Sequence, residues 1–173
     1  MSGPILALDL SSRTGWAVGR SGEVPGHGVW LLPAATLGLG GAFSALASSL
    51  EDALRLFVPG LIIMEAPLPP QAQTAMHSAR LQFGLAAITE MLAHEWGVPC
   101  EEARATEVRR LVLGKGIATK AEVIAWCREQ GLSPAEDNDA DALVLLEYRL
   151  RLLAGRRTRA GELPRLLDRE PGP

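Results

Sequence analysis

Acidic residues stand at three places where apolar segments meet a turn or a helix start: Asp9, Glu65 and the run Glu136-Asp137-Asn138-Asp139-Ala140-Asp141. Residues 5–10 form an apolar run of strand length whose one charge is Asp9, just ahead of the polar turn Ser11-Ser12-Arg13-Thr14-Gly15. Strand alternation puts Ile5, Ala7 and Asp9 on one face and Leu6, Leu8 and Leu10 on the other, so Asp9 projects from a sheet surface near the strand end. A carboxylate there is costly unless something pairs with it. It reads both as a metal ligand or catalytic acid and as a turn-forming Asp bonded to the following backbone. Glu65 repeats the arrangement after the apolar run Leu61-Ile62-Ile63-Met64, and the breaker-rich Ala66-Pro67-Leu68-Pro69-Pro70 follows it. In the third place, capping and the helix dipole account for Asp137 or Asn138. They do not account for Asp141, which lies inside the helix among Ala140, Ala142 and Leu143.

If the two strand ends are neighbours and the last helix packs across them, these carboxylates converge, and like-charge repulsion then calls for divalent cations. Hard oxygen donors select Mg²⁺ or Mn²⁺ over zinc. Two such ions ~3.5–4 Å apart can activate a water and stabilise the leaving oxygen of a phosphodiester. On this reading Asp9 bridges both ions, Glu65 and Asp141 each hold one, and an ion-activated water is the nucleophile.

The elements needed to position these residues can be read along the chain. Residues 5–10, 15–19 and 26–32 read as three strands joined by tight turns, an antiparallel meander. Phe43, Leu46, Ala47, Leu50, Leu54 and Phe57 recur at helical spacing ahead of Pro59-Gly60. Residues 61–64 form the fourth strand. Residues 73–96 read as the longest helix, with Ala75, Ala79, Phe83, Ala86, Ala87 and Met91 forming a small-residue stripe suited to a sheet or a partner. Residues 98–103 are a fifth strand. Thr106 can cap a short basic helix to Leu113, and Thr119-x-x-Glu122 is a capping box opening another that ends at Gly131. A helix rich in Ala and Leu then runs to about Ala154. The order predicts an α/β fold in one domain over residues 1–155: a five-stranded mixed sheet, its first three strands antiparallel, flanked by helices. Residues 156–173, rich in Arg, Gly and Pro, are expected to be a flexible basic tail.

At 173 residues the chain can bury ~70% of the surface its unfolded form exposes. With 47% hydrophobic and 21% charged residues, and no apolar run near the ~20 residues of a membrane span, it reads as an ordinary globular protein. The N-terminus has no basic stretch leading into an apolar one, so a cytoplasmic location is expected. Cys100 and Cys127 have neither Cys-x-x-Cys spacing nor a His cluster nearby, so two reduced, buried thiols are expected rather than a zinc site or disulfide. The formal charge of −3 argues mildly against nucleic acid as partner, but an acidic site can lower net charge while local basic patches bind.

At residues 4–153 the chain resembles the RuvC-type Holliday junction resolvases of the RNase H-like, retroviral-integrase superfamily. Ile5-Leu-Ala-Leu-Asp9-Leu-Ser-Ser-Arg-Thr-Gly15-Trp-Ala-Val is similar to the family's first strand, its catalytic Asp and the hairpin that follows. Leu61-Ile-Ile-Met-Glu65-Ala-Pro is similar to the strand carrying its catalytic Glu, and Asp139-Ala-Asp141-Ala-Leu-Val-Leu-Leu to its acidic C-terminal helix. Each motif is weak alone; their occurrence together and in order is more specific. The resemblance implies an RNase H-like fold and a magnesium-dependent endonuclease that cuts branched DNA with two ions per active site, Mn²⁺ substituting. A homodimer is expected, since cutting two symmetric strands of a junction needs two active sites, and the small-residue stripe could serve it or intramolecular packing. The family's fourth ligand, Asp or His, stands three residues before the last Asp; here that position is Asn138. Asp137, at i−4, shares a helical face with Asp141 and is favoured as fourth ligand and catalytic acid, with Asp139 second.

The segment Val108-Arg109-Arg110-Leu-Val-Leu-Gly114-Lys115-Gly116-Ile-Ala-Thr-Lys120-Ala-Glu-Val resembles the family stretch that supplies basic residues near the scissile phosphate. The resemblance implies DNA contacts from Arg109, Lys115 and Lys120, with Lys120 also catalytic, while Arg110 reads as part of a solvated face. Gln71, Gln73, His77 and Arg80 stand where a family loop and helix approach the junction and the dimer partner. Arg149, Arg151, Arg156, Arg157 and Arg159 either contact DNA or solubilise a tail, and Trp16 and Trp126 read as core. The alternatives are a single-strand or RNA-directed nuclease of the same superfamily (YqgF type), a non-catalytic DNA-binding relative, and an actin-like or sugar-kinase-like ATPase. Against the last, the chain is too short for two such halves and has no second Gly-rich loop.

Overall fold

The computed structural model describes residues 3–33, 38–69 and 75–167, with side chains described as far as Gly155. Gln71, Gln73, the side chains of Arg156, Arg157 and Arg159, and the last six residues of the expected tail lie outside what is described.

Three strands open the chain, β1 (Ile5–Asp9), β2 (Arg13–Gly19) and β3 (Gly26–Leu31), followed by α1 (Leu39–Phe57) and β4 (Leu61–Glu65). Then come α2 (Met76–Glu95), β5 (Cys100–Ala103), α3 (Ala105–Leu113), α4 (Lys120–Glu129) and α5 (Asp137–Leu167). The sheet order is β3-β2-β1-β4-β5, with the first three strands antiparallel and β4 and β5 parallel to β1.

Strand alternation sorts the apolar residues into two layers, as the pleat requires. Leu6, Leu8, Ile62 and Met64 pack under α1 and α2. Ile5, Ala7, Leu61 and Ile63 pack under α3, α4 and α5. The central strands are therefore apolar on both faces, and only their ends can carry a charge. Leu8 is in register with Met64, so the next residue of each strand, Asp9 and Glu65, emerges at one edge of the sheet. α1 and α2 approach closely because position 84 is glycine: a Cβ there would lie 2.2 Å from the Phe43 ring.

Several helix expectations are corrected. The longest helix is α5, at 31 residues, rather than α2, at 20, because the helix continues past Ala154 through the Arg- and Gly-rich segment to Leu167. Thr106 does not cap α3, whose N-cap is Arg104 and has no side-chain cap bond; the box at Thr119 and Glu122 forms with both reciprocal bonds. The α2 stripe does not face the sheet as a unit. Leu85, Ala86, Thr89, Leu92 and Ala93 are buried, while Phe83, Ala87 and Met91 face outward, because the apolar residues of α2 outnumber what one face can bury. Cys100 and Cys127 are free thiols, Cys127 buried and Cys100 half-buried. Trp16 stacks on Trp30 and Phe57 at the margin of the core, and Trp126 packs against the other layer. No helix among the described residues is long and apolar enough to cross a membrane.

Candidate active site

Asp9 ends β1, Glu65 ends β4, and both lie on the face that α5 covers. What brings α5 to the strand ends is Gly15, paired with Asp9 across the β1–β2 ladder. A Cβ on Gly15 would stand 1.9 Å from the carbonyl oxygen of Asn138, so only glycine lets the first turn of α5 settle here. With the helix seated, the Asn138 amide donates to Asp9 Oδ2 at 2.9 Å and to Ser11 Oγ at 3.2 Å. Asp141, one turn on, faces the same place, and Arg109 of α3 donates to its Oδ1 at 3.1 Å.

The electrostatics follow from this crowding. Burial pushes the Asp9 carboxyl up to about 6, with Asp141 and Asp137 adding to the rise and the Asn138 amide and Arg109 opposing it. Glu65 is pushed up to about 7, first by burial and then by the charges of Asp9 and Asp141. Asp141 is raised for the same first reason, held back by its bond to Arg109. Asp137 goes the other way: its bond to Lys120 lowers it, and the Lys120 ammonium is raised in return. The carboxyls of Asp9, Glu65 and Asp141 thus form one interacting acidic group, with Asp137 at its rim.

These donors are hard carboxylate oxygens, with no thiolate or imidazole among them. As the side chains stand, no set of three or more His, Cys, Asp or Glu among the described residues converges tightly enough to hold an ion. Asn138, Arg109 and Lys120 engage Asp9, Asp141 and Asp137 instead. Beside the acids, Asp9, Glu65, Pro67, Leu68 and Gln82 line a shallow cleft. Two larger concavities lie at the opposite end of the sheet, between the β2–β3 turn and α5.

The remaining candidates divide. Arg109 and Lys120 reach the acidic group; Lys115 bonds to Glu122, whose carboxyl it lowers to about 2. Arg110, His77 and Arg80 are exposed, Arg80 on α2 without a bond to the acidic group. Asp139 points away from the cleft: its side chain is 1% exposed, bonded to His27 and to the Ala135 N–H. Arg149 is neither a surface DNA contact nor a solubilising residue. It is buried and grips Glu101 of β5 through Nε at 2.7 Å and Nη2 at 2.9 Å. Arg151 bonds to Glu147 and to the Leu111 and Val112 carbonyls.

Sequence reasoning missed Gln82, His27, the Arg13–Glu136 pair and the role of Gly15. Only Gly15 left a usable sign, a glycine inside what became a strand.

No protein-family model and no curated protein sequence matches the chain. Solved structures do. The Thermus thermophilus RuvC structure superposes with a TM-score of 0.68 at 18% identity, over 86% of this chain and 96% of that one. T. thermophilus RuvC in complex with Holliday junction substrate gives 0.69 at 18% identity, over 84% and 92%. The yeast mitochondrial Holliday junction resolvase Ydc2 gives 0.57 at 14%, over 87% and 78%. The fold of this chain is therefore the RNase H-like fold of RuvC.

Proposed function

We propose that this protein is a divalent-metal-dependent, structure-selective endodeoxyribonuclease that hydrolyses phosphodiester bonds in four-way or otherwise branched DNA. The observation that carries the reading is the meeting of Asp9, Glu65 and Asp141 at one sheet edge, on a fold shared with a protein solved on Holliday junction substrate. Mutually repelling, partly desolvated carboxylates fit a hard divalent cation, since the ion relieves the repulsion that raises Asp9 and Glu65. Asp9, Glu65 and Asp141 would hold two Mg²⁺ or Mn²⁺ ions, with Asp137 as the fourth carboxylate. The ions would supply Lewis acidity for activating water and for stabilising the leaving oxygen.

The chain's own residues do the rest. Asn138 fixes the orientation of Asp9 through the 2.9 Å bond to Oδ2. Arg109 and Lys120 bond Asp141 and Asp137, and on substrate binding would exchange these acids for phosphate oxygens. Lys115, at the turn between α3 and α4, and Arg80, on α2, would contact the DNA backbone farther out. A homodimer, which paired incisions require, is supported by the outward face of α2, where Met76, Phe83 and Met91 are 77%, 44% and 50% exposed. Such an enzyme would act in the cytoplasm.

The test is to incubate the protein with labelled four-way junction, linear duplex, single strand and RNA, each with Mg²⁺, with Mn²⁺ and with chelator. Paired nicks confined to the junction and lost with chelator are expected. Cleavage of single strands or RNA alone would keep the acidic site and replace the substrate; cleavage of nothing would overturn the reading.

A further inference from the structure

We propose that His27 is a positioning residue: through Asp139 it fixes the rotation of the first turn of α5, so that Asn138 and Asp141 face Asp9 and Glu65. The inference rests on the nuclease reading above and concerns a residue outside the cleft.

The first turn of α5 is almost wholly polar, and residues three and four apart share a face. Asn138 and Asp141 belong on the cleft side; Asp139 is rotated from Asn138 by one residue. Where the turn meets β2 the contact is backbone on backbone, the Asn138 carbonyl over Gly15, which admits close approach but interlocks no side chains. Ala140, Leu143 and Val144 seat the helix in the core below this turn, and the polar turn itself is held by its side-chain bonds, those of Asn138 to Asp9 and Ser11 among them. Arg13 bonds Glu136, but its side chain is 54% exposed and such a pair is weakly held.

The pair of His27 and Asp139 is different in kind. His27 lies on β3, opposite Ala17 and two strands from Asp9, and its Nδ1 donates to Asp139 Oδ1 at 2.8 Å. The other oxygen, Oδ2, accepts the Ala135 N–H at 2.8 Å. Asp139 is thereby tied on one side to the sheet and on the other to the chain just before the helix, and its side chain is 1% exposed. A carboxylate so placed cannot exchange its partners for water, so any rotation of the turn breaks a bond that nothing replaces. Groups that orient ligand side chains without touching the ion commonly change metal affinity or activity ~10–100-fold when removed.

The experiment compares the full-length protein with His27→Phe, His27→Gln and the double variant His27→Phe with Asp139→Asn, each checked for folding by thermal melt. Four quantities are read: Ca²⁺ affinity of the protein alone by calorimetry, kcat and KM on a four-way junction with Mg²⁺, and hydrogen exchange of the amides of residues 137–141. His27→Phe is expected to weaken Ca²⁺ binding and lower kcat by ~10–100-fold each. KM is expected to hold, and exchange at 137–141 to quicken. His27→Gln, which keeps a donor, is expected to recover most of the loss. The double variant removes the stranded charge and is expected to melt closer to the parent while keeping the defects, so it carries the test if His27→Phe does not fold. A folded His27→Phe or double variant with parental Ca²⁺ affinity, kcat and exchange overturns the inference. A parent that cleaves nothing overturns the nuclease reading, and unchanged exchange in the variants then overturns the positioning role separately.

Discussion

Glu136, Asp137, Asn138, Asp139 and Asp141 are near neighbours in sequence with five different partners: Arg13, Lys120, Asp9, His27 and Arg109. The helical repeat is what separates them, since successive residues point in different directions around α5. Asp137, Asn138 and Asp141 turn to the acidic group, while Glu136 and Asp139 bond Arg13 and His27 of the β-hairpin. The crowding of Asp9 and Glu65 has a consequence for stability. Both carboxyls are raised in the folded protein, from 3.8 to about 6 and from 4.5 to about 7, so the folded state holds protons more tightly than the unfolded one across that window. Their contribution is then fully present below about pH 4 and is lost as pH rises through 6 to 7. The melting temperature of the metal-free protein is expected to fall over that range, and Glu65→Gln to flatten the fall. Differential scanning calorimetry from pH 4 to 8 checks it; identical slopes in the two proteins would contradict it. Gly15 gives a second prediction at this scale. Gly15→Ala puts a Cβ against the Asn138 carbonyl, and overpacking of this kind costs ~1–3 kcal/mol. Denaturant unfolding should show that loss, together with loss of cleavage, because the turn that moves carries Asn138 and Asp141.

At the scale of elements, α5 is the member that touches most of the others. It crosses β1 and β2, packs on α3 and α4, and ties itself to the edge strand β5 through Arg149 and Glu101. That ion pair is lopsided: the Arg149 side chain is 3% exposed and Glu101 is 45% exposed. Removing the acid strands a buried guanidinium, whereas removing the base frees a carboxylate that water can reach. Glu101→Gln is therefore expected to destabilise by ~1–3 kcal/mol and Arg149→Met by less, measured by denaturant unfolding. Equal costs would contradict the burial argument. The strands β1 and β4 were legible in the sequence because two-sided apolar runs bounded by turns have few other readings, and the capping box at Thr119 because its two bonds are local. The facing of α2 was less so, since Ala, Phe and Met at mixed spacing fit several faces and only the packing against α1 and β5 selects one.

For the whole molecule, the candidate site sits at one edge of a sheet whose interior is apolar on both sides, and this is why its acids stand out in the sequence. Asp9 and Glu65 each break an otherwise apolar strand at its end, and Asp141 stands among Ala140, Ala142 and Leu143; a charge against a pattern is visible without a structure. The partners of those acids were not visible in that way. His27 with Asp139, Arg13 with Glu136 and Arg149 with Glu101 join residues 112, 123 and 48 positions apart, and no local pattern marks such a pair. Asn138 was legible as a departure from the acidic position of the family the sequence resembles, but its bond to Asp9 depends on the seat that Gly15 gives α5.

On the proposed function, Asp9, Glu65 and Asp141 act as one metal-holding group. The most direct measurement is cleavage of a labelled four-way junction in Mg²⁺ by the parent and by Asp9→Asn, with junction binding measured in parallel. Losing an orienting group alone costs ~10–100-fold, so losing a proposed ligand itself should lower cleavage by more than about 100-fold while leaving fold and junction binding intact. An Asp9→Asn protein that cuts the junction at the parental rate would contradict the account.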